Sequence, residues 1–293
     1  MTTSKTEILL AAYNGERYLE EQILSILDQD CDEWFLTVSD DGSGDSTKEI
    51  LDRYVKEYPD RIRRIESGRQ FRDAKEHFFF LLEKSTGDSV MFCDQDDIWE
   101  KDKVSSSRKL LRDDIPCLVC SDLKVVGEDL SLIDPSFFRY QGIREEDFKL
   151  SCLLYRNSVT GCTCLLNRKL VDLLLQIKDR RHMIMHDYAA ALLAGIFGEI
   201  IVNKKAEVLY RQHGDNALGA QKKGFSYLRN KMTSARSSVK AKKAQVRELI
   251  RSFGLDEELL KDFAKEKSGA SYYLSHREDI ASYPLLFGFL LYG

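Results

Sequence analysis

Acidic residues follow two apolar segments in the N-terminal third of the sequence, which reads DDGS at residues 40–43 and DQDD at residues 94–97. If these segments are parallel strands of an open α/β sheet, their carboxyl ends meet at one edge, where such sheets bind ligands. Carboxylates brought so close repel one another unless a cation or hydrogen-bond donors balance them. Their oxygen atoms suit Mg²⁺ or Mn²⁺. The five candidate carboxylates are those of Asp40, Asp41, Asp94, Asp96 and Asp97.

A divalent ion held by one or two carboxylates normally completes its coordination shell with substrate phosphates. The glycine motifs that cradle phosphates in many nucleotide-binding proteins, GxxxxGK[ST] and GxGxxG, do not occur in the sequence. A tight turn at residues 13–16 (YNGE) follows the first apolar segment and leads to the same predicted edge. The residues alone therefore predict a site for a metal and a diphosphate ligand without a glycine cradle.

The scaffold that positions these residues is predicted from short apolar runs that alternate with helical patterns. Strands are predicted at 8–13, 35–39, 62–66, 89–93 and 118–126, and helices at 17–28, 46–58, 76–84 and 101–112. Such βα repetition implies a parallel sheet with right-handed crossovers and helices on both faces. Beyond residue 130 the repetition ends, and we expect strands at 158–166, 199–202 and 206–211 and a helix at 187–197.

The composition is that of an ordinary soluble globular protein, with 293 residues, 43% hydrophobic and 31% charged. The sequence has no apolar run of the roughly 18 residues that a membrane span needs. The first residues, MTTSKTEILLAAYNGE, lack the apolar core of a secretory signal. The seven cysteines are odd in number and lie mostly in apolar runs, which favours buried reduced thiols. Together these features predict a cytoplasmic protein.

The charge of the chain is unevenly distributed. A formal net charge of −4 argues against a nucleic-acid partner. Residues 222–247, however, carry nine basic residues and no acidic one, which leaves −13 on the rest of the chain. Apolar residues recur in this segment at helical spacing, opposite a cationic face. The segment is either a solvated helix packed on the acidic body or a helix that meets an anionic membrane surface.

Six collinear stretches resemble bacterial family 2 glycosyltransferases, in particular the rhamnosyltransferase-like enzymes of cell-wall and capsular polysaccharide synthesis. They read ILLAAYNGERYLEEQILSILDQ, VSDDGSGDST, MFCDQDDIWEKDKV, NSVTGCTCLLNRKL, MHDYAAALLAGIFGEI and LYRQHGDNALGA. The resemblance implies a GT-A fold for residues 1–220, a Rossmann-like α/β fold with a mostly parallel sheet flanked by helices. Residues 221–293 would then form a helical, basic C-terminal extension. A nucleotide-diphosphate-sugar donor and inversion at the anomeric carbon are also implied.

The resemblance assigns a nucleotide pocket to the first three motifs. By motif, Asp40 or Asp41 should contact the nucleoside, and Tyr13 and Asn14 should line the same pocket. Asp94 opens the DxD element and is expected to bind the ribose.

The remaining roles concern the metal and the chemistry. Asp96 closes the DxD element and is expected to bind the metal. In the RQH element, His213 is a candidate metal ligand and Arg211 a candidate diphosphate contact. Asp187 is the expected catalytic base, because attack by a sugar hydroxyl needs a carboxylate in hydrogen-bond reach. Its place at the start of a predicted helix should favour the ionised form.

The segment at residues 67–82, SGRQFRDAKEHFFFLL, departs from the family pattern. His77 stands where an Asn is usual, and an upstream Asn is missing. In these enzymes this loop commonly borders the donor site, so the departure bears on the identity of the donor sugar.

The sequence thus predicts a metal-dependent inverting glycosyltransferase of cell-surface polysaccharide synthesis. Its donor would be dTDP-rhamnose, the favoured choice, or a UDP-sugar, and its acceptor a glycan or a lipid-linked glycan at the inner face of the membrane. One alternative is a non-catalytic module that binds a nucleotide sugar or membrane. Another is a sugar-1-phosphate nucleotidyltransferase, which should carry a GxGxR-type loop after the first strand; the sequence there, AAYNGERYLEE, has a single glycine.

Overall fold

The computed structural model describes residues 5–214 and 240–256. Its strands are β1 (Thr6–Ala12), β2 (Trp34–Asp40), β3 (Ile62–Arg64), β4 (Ser89–Asp94), β5 (Ile98–Trp99), β6 (Cys117–Val126), β7 (Leu132–Asp134), β8 (Leu165–Asn167) and β9 (Glu199–Arg211). Its helices are α1 (Leu19–Leu27), α2 (Thr47–Glu57), α3 (Ala74–Lys84), α4 (Lys103–Leu110), α5 (Phe137–Gln141), α6 (Leu150–Leu153), α7 (Arg168–Leu175), α8 (His186–Phe197) and α9 (240–253).

The described strands form one sheet in the order β3-β2-β1-β4-β8-β6-β9-β5, with β7 paired to β6. The first four strands are parallel neighbours, as predicted. β8 then enters antiparallel between β4 and β6, so that β6 and its parallel neighbour β9 keep the direction of β4. Six of these strands therefore run the same way, which confirms the predicted mostly parallel α/β sheet.

Helices cover both faces of the sheet, and the central strands are apolar on both sides for that reason. In β1, Leu9 faces a core shared with α3, α7 and α8. Its neighbours Ile8 and Leu10 face a second core, shared with α1, α2 and α4. The same alternation continues in β4, where Phe92 joins the first core and Met91 the second.

The register of the central strands brings the acidic motifs together. Ala12 of β1 lies opposite Asp40 of β2, and Ala11 lies opposite Asp94 of β4. Because neighbouring strands are about 4.8 Å apart, the two carboxylates flank the end of β1 at the carboxyl edge of the sheet.

Two predicted elements differ from the structure. The strand predicted at 158–166 is wrong except at its end, where β8 begins. Residues Gly161–Thr163 form a 3₁₀ turn, with the amides of Thr163 and Cys164 bonded to the carbonyls of Thr160 and Gly161. The alternating cysteines resembled a strand because both are buried in this turn. The strands predicted at 199–202 and 206–211 are one strand, β9, since a shift in its register against β6 absorbs the polar residues between them.

Helix α9 lies beyond the predicted domain boundary at residue 220, yet it packs on the body. Val246 and Leu249 are buried in the core that contains α8. Lys240 and Arg247, two of the basic residues of the 222–247 segment, are exposed. For its described part the segment is therefore a packed helix with a cationic outer face. Residues 222–239, the boundary itself and the chain after residue 256 lie outside the described residues.

A search of the helices within residues 5–214 and 240–256 finds none that is both long and apolar enough to cross a membrane.

The packing of α9 predicts that Leu249→Ala destabilises the fold. Leu249 is fully buried, so its truncation removes apolar contacts and leaves a cavity. We expect the free energy of unfolding to fall by about 2–5 kcal/mol. Urea unfolding followed by circular dichroism measures the change. The matched control, Arg247→Ala on the exposed face of the same helix, should stay within about 0.5 kcal/mol of the parent protein. Equal midpoints for the two variants would show that α9 is not docked.

Candidate active site

The turn after β1 is tied to both neighbouring loops. The side-chain amide of Gln95 accepts a hydrogen bond from the Tyr13 amide at 2.8 Å and donates one to the Tyr13 carbonyl at 2.9 Å. The Asn14 amide donates to Ser43 Oγ at 2.8 Å, and the Gly44 amide donates to Asn14 Oδ1 at 2.9 Å. Asn14 has a φ of 48°, a left-handed conformation that Asn tolerates. Both predicted pocket residues lie at the carboxyl edge, because they directly follow β1. Tyr13 is 52% exposed there.

Asp40 and Asp41 have different surroundings. Asp40 is partly buried and closes its own turn by accepting hydrogen bonds from the amides of Gly42 and Ser43. Asp41 is 4% exposed, and its two oxygens accept the amides of Phe71 and Arg72 at 2.5 and 2.7 Å. Asp41 thus holds the backbone of the loop that contains Phe71 and Arg72. Of the two, Asp40 lies nearer the surface where a nucleoside could meet it.

The loop held by Asp41 is the one whose sequence departs from the family pattern. The imidazole of His77 is buried and stacks on Phe71, with the ring centroids 5.2 Å apart. The Arg69 guanidinium lies over the same Phe71 ring, 4.8 Å from its centroid. Burial lowers the pKa of His77. His77, which replaces the usual Asn, therefore packs against this loop through Phe71.

Asp96 and His213 meet at the same edge, as their predicted common role requires. Asp96 Oδ2 lies 2.8 Å from His213 Nε2, and the two side chains are 15% and 8% exposed. The His213 ring packs against Tyr18 with centroids 4.9 Å apart. Long-range folding thus places an imidazole nitrogen beside a carboxylate oxygen.

Asp94 and Asp97 extend the acidic cluster inward. Asp97 is fully buried, with Oδ1 accepting the Arg211 amide at 3.2 Å and Oδ2 without a hydrogen-bond partner among the described residues. Burial and repulsion from neighbouring carboxylates raise the pKa of Asp97 well above its usual range and that of Asp94 to about 7. Oxygen atoms of both residues and the sulfur of Cys162 lie within 4.8 Å of one another.

This arrangement fits a divalent cation. One Asp97 oxygen lacks a hydrogen-bond partner among the described residues, and the raised pKa values show that burial and repulsion disfavour the ionised carboxylates. A bound cation would offset that cost. Carboxylate oxygens with an imidazole nitrogen suit Mn²⁺, and the carboxylates suit Mg²⁺ as well. Asp96 and His213 would be its ligands, with Asp94 on the same turn as Asp96.

Arg211 lies beneath the edge, not on it. Its side chain is 4% exposed and pairs with Glu21. Nε donates to the Asp96 carbonyl at 3.0 Å, and a terminal nitrogen donates to the Glu128 carbonyl at 2.7 Å. These contacts engage the guanidinium with groups of the protein, and the diphosphate contact of Arg211 stays a prediction. They indicate that Arg211 holds the backbone of the DxD turn.

Asp187 reaches the acidic cluster from the first turn of α8. Its side chain is 7% exposed and accepts hydrogen bonds from the Tyr188 amide at 2.6 Å, the Asn157 side chain and the Gly161 amide. Burial raises its pKa to about 6, so burial outweighs the helix start that was expected to favour ionisation. Repulsion from Asp187 contributes to the raised pKa of Asp94. The two residues are linked through the 161–163 turn, because Gly161 donates its amide to Asp187 and the Cys162 sulfur lies within 4.8 Å of an Asp94 oxygen.

The neighbouring His186 is buried and packs between aromatic rings. Its ring stacks on Phe78 at 4.1 Å and meets Phe92 edge-on at 4.5 Å. Burial lowers its pKa to about 3, so it is neutral at physiological pH.

Sequence reasoning missed Gln95, Asn157 and Cys162 as parts of the site. Gln95 lies inside the DQD element and Asn157 begins the NSVTGCTC stretch, so motif position was the available signal. Cys162 gave none, because its apolar surroundings resemble those of an ordinary core thiol.

Comparisons with known proteins agree with this geometry. The sequence profile described as glycosyl transferase family 2 matches residues 7–174. The dTDP-rhamnosyl transferase RfbG of Shigella flexneri is 27% identical over 220 residues, which are 72% of this chain and 74% of that protein.

Solved structures of low sequence identity share the fold. Residues 1–349 of TarS from S. aureus match with a TM-score of 0.63 and 16% identity, over 96% of this chain and 75% of that one. A longer TarS structure is matched over 37% of its chain. The mannosyltransferase PcManGT of Pyrobaculum calidifontis, in complex with GDP-Man and Mn²⁺, matches with a TM-score of 0.55 and 14% identity, over 98% of this chain and 83% of that one. The fold is the predicted GT-A fold, and with its profile match over more than half its length the chain belongs to glycosyl transferase family 2.

Proposed function

We propose that the protein is a metal-dependent, inverting glycosyltransferase with a nucleotide-diphosphate sugar as donor. The observation that carries this proposal is that Asp187 accepts a hydrogen bond from Gly161, whose neighbour Cys162 has its sulfur within 4.8 Å of oxygens of Asp94 and Asp97. A rhamnosyl donor, dTDP-rhamnose, is favoured over a UDP-sugar because the relative from Shigella flexneri is a dTDP-rhamnosyl transferase. The acceptor is a glycan or a lipid-linked glycan of the cell surface.

The donor would lie along the carboxyl edge of the sheet, with its nucleoside between the Tyr13 turn and Asp40 and its ribose toward Asp94. Asp187 takes the proton of the acceptor hydroxyl while the acceptor oxygen attacks C1. The bond from C1 to the diphosphate breaks on the opposite side, which inverts the anomeric carbon. A carboxylate whose pKa is raised is a stronger base once it is ionised, so burial of Asp187 serves this step.

A divalent cation held by Asp96 and His213, with Asp94 beside them, would neutralise charge that develops on the leaving diphosphate. The protein's own contribution is to hold these donors in place. His213 is packed on Tyr18, and the DxD backbone is bonded to Arg211.

The other predicted functions have weaker support. A sugar-1-phosphate nucleotidyltransferase lacks a basis, because the turn after β1 is built on Asn14 and a single glycine. A non-catalytic module would have no use for a buried carboxylate opposite the DxD turn. Attachment to an anionic membrane surface stays a prediction. If the acceptor is lipid-linked, we place the reaction in the cytoplasm at the inner face of the membrane.

Asp187→Asn should abolish transfer while donor binding persists. The amide keeps the size of the side chain but cannot accept the hydroxyl proton, so we expect kcat to fall by roughly 10²–10⁴-fold. Release of nucleoside diphosphate measures turnover, and thermal shift with donor and Mn²⁺ measures binding. Asp172→Asn, an exposed aspartate on α7, is the matched control and should behave as the parent protein. Near-parental transfer by the Asp187 variant would remove it as the base.

The rate of transfer should fall as the pH is lowered through about 6. Asp187 acts only when ionised, and a carboxyl group whose pKa is raised to about 6 is ionised above that pH and protonated below it. We therefore expect kcat to be level near pH 7–8 and to drop about tenfold per unit well below the pKa. Initial rates at saturating substrates from pH 5 to pH 8 provide the test. A rate that stays constant across this range would contradict the assignment.

Removal of His213 should weaken metal binding. With His213→Ala, the imidazole nitrogen beside Asp96 is lost, and we expect about tenfold or more weaker Mn²⁺ affinity. Thermal shift of the protein titrated with Mn²⁺, alone and with dTDP-rhamnose or a UDP-sugar, measures this and screens the donor. His182→Ala, which removes a histidine that is 49% exposed, serves as control. Identical Mn²⁺ titrations for both variants would exclude His213 as a ligand.

A further inference from the structure

Helix α9 holds the backbone of the segment that leads to Asp187, here called the base-leading segment (residues 177–185). Three backbone amides of this segment donate to side chains on one face of α9. The pairs are Ile184 N with Gln245 Oε1 at 2.8 Å, Asp179 N with Glu248 Oε1 at 2.9 Å, and Lys178 N with Ser252 Oγ at 3.0 Å. The acceptors are three and four residues apart, so they follow each other along the helix surface.

The base-leading segment is bound on another side by α3. The Lys75 side chain is buried, and its ammonium donates to the carbonyls of Met183 at 3.2 Å and Arg180 at 3.4 Å. The segment contains only a single 3₁₀ turn, Arg180–His182. Because buried backbone groups need partners, its conformation depends on these side chains more than on regular secondary structure.

Helix α9 also reaches the second element that contacts Asp187. The Lys242 ammonium donates to the carbonyl of Tyr155. Two residues further along the chain, the Asn157 side chain is bonded to Asp187. The same helix therefore contacts the backbone on both approaches to the carboxylate.

Gln245 is the residue of α9 whose bond lies nearest to Asp187. It is fully buried, and its Nε2 has no hydrogen-bond partner among the described residues. Its oxygen fixes the amide of Ile184, three residues before Asp187.

We propose that α9 is a positioning element for the catalytic base and that Gln245 is its key residue. The inference rests on the proposed role of Asp187 and concerns the alignment of that carboxylate with the acceptor hydroxyl. A displacement of about 1 Å in a reacting group can cost on the order of 10²-fold in rate. The bond between Gln245 and the base-leading segment prevents such a displacement.

The test compares two substitutions of Gln245 in the full-length protein. Gln245→Met keeps the size of the side chain and removes the oxygen, and we expect kcat to fall by about 10- to 100-fold with the donor KM within about twofold. Gln245→Glu is expected to be protonated in this buried position, because burial disfavours a charged carboxylate. Its carbonyl oxygen can still accept the Ile184 amide, so most of the rate should return. Ser252→Ala is the matched control, because it removes a bond from the same helix at Lys178, farther from Asp187. A thermal unfolding transition in each variant shows that the chain is folded.

The variant Asp187→Asn separates this inference from the proposed function. In that background Gln245→Met should add no further loss, since Gln245 acts through Asp187. Losses that multiply, equal effects of Gln245→Met and Ser252→Ala, or no loss in Gln245→Met would overturn the positioning role. Unimpaired transfer by Asp187→Asn alone would instead overturn the proposed base.

Discussion

Repulsion among buried carboxylates is the constraint on which the rest of the site depends. The parallel register ends β4 at Asp94, and the following turn adds Asp96 and Asp97 before the chain leaves the edge. Asp187 reaches the neighbouring 161–163 turn from α8, where it accepts the Gly161 amide. Desolvation and repulsion between like charges both disfavour ionised carboxylates here. Hydrogen bonds within the protein offset only part of this cost. His213 pairs with Asp96, and a backbone amide serves Asp97, whose second oxygen stays without a partner among the described residues. A cation bound at this edge would offset the cost of ionising these carboxylates, and the phosphates of a diphosphate ligand would complete its coordination shell.

The loops around this cluster are held by polar side chains that bond to the backbone. Gln95 binds both polar groups of Tyr13, Asp41 binds two amides of the neighbouring loop, and Arg211 binds the DxD backbone. Such bonds fix loops that have no regular secondary structure of their own, as a preorganised site requires. The residues that shape the site are therefore of the same chemical types as those expected to touch the ligand.

This similarity explains what the sequence could and could not predict. The strands β1 to β4 and their helices follow from local periodicity, and so does the meeting of Asp40 with Asp94, because parallel strands share a carboxyl edge. Whether an acidic or basic residue faces the ligand or the protein depends on contacts between distant segments. Asp41 and Arg211 carry motif positions, yet both bind backbone in the interior. The pKa of Asp187 likewise depends on burial by segments far away in the chain, which a helix start cannot reveal.

Helix α9 shows how packing narrows a prediction based on charge. A basic amphipathic helix can meet a membrane by inserting its apolar face or by charge alone. In α9 the apolar residues Val246 and Leu249 are buried against α8 and its neighbours, so they are not available to lipid while the helix is docked. Its exposed cations, among them Lys240 and Arg247, would contribute about 1 kcal/mol each at an anionic surface. Because Debye screening weakens exposed charges at physiological salt, the few cations on the described helix give only a weak attraction. A membrane contact made through the docked helix would therefore be electrostatic, with the helix remaining available to hold the segment before Asp187.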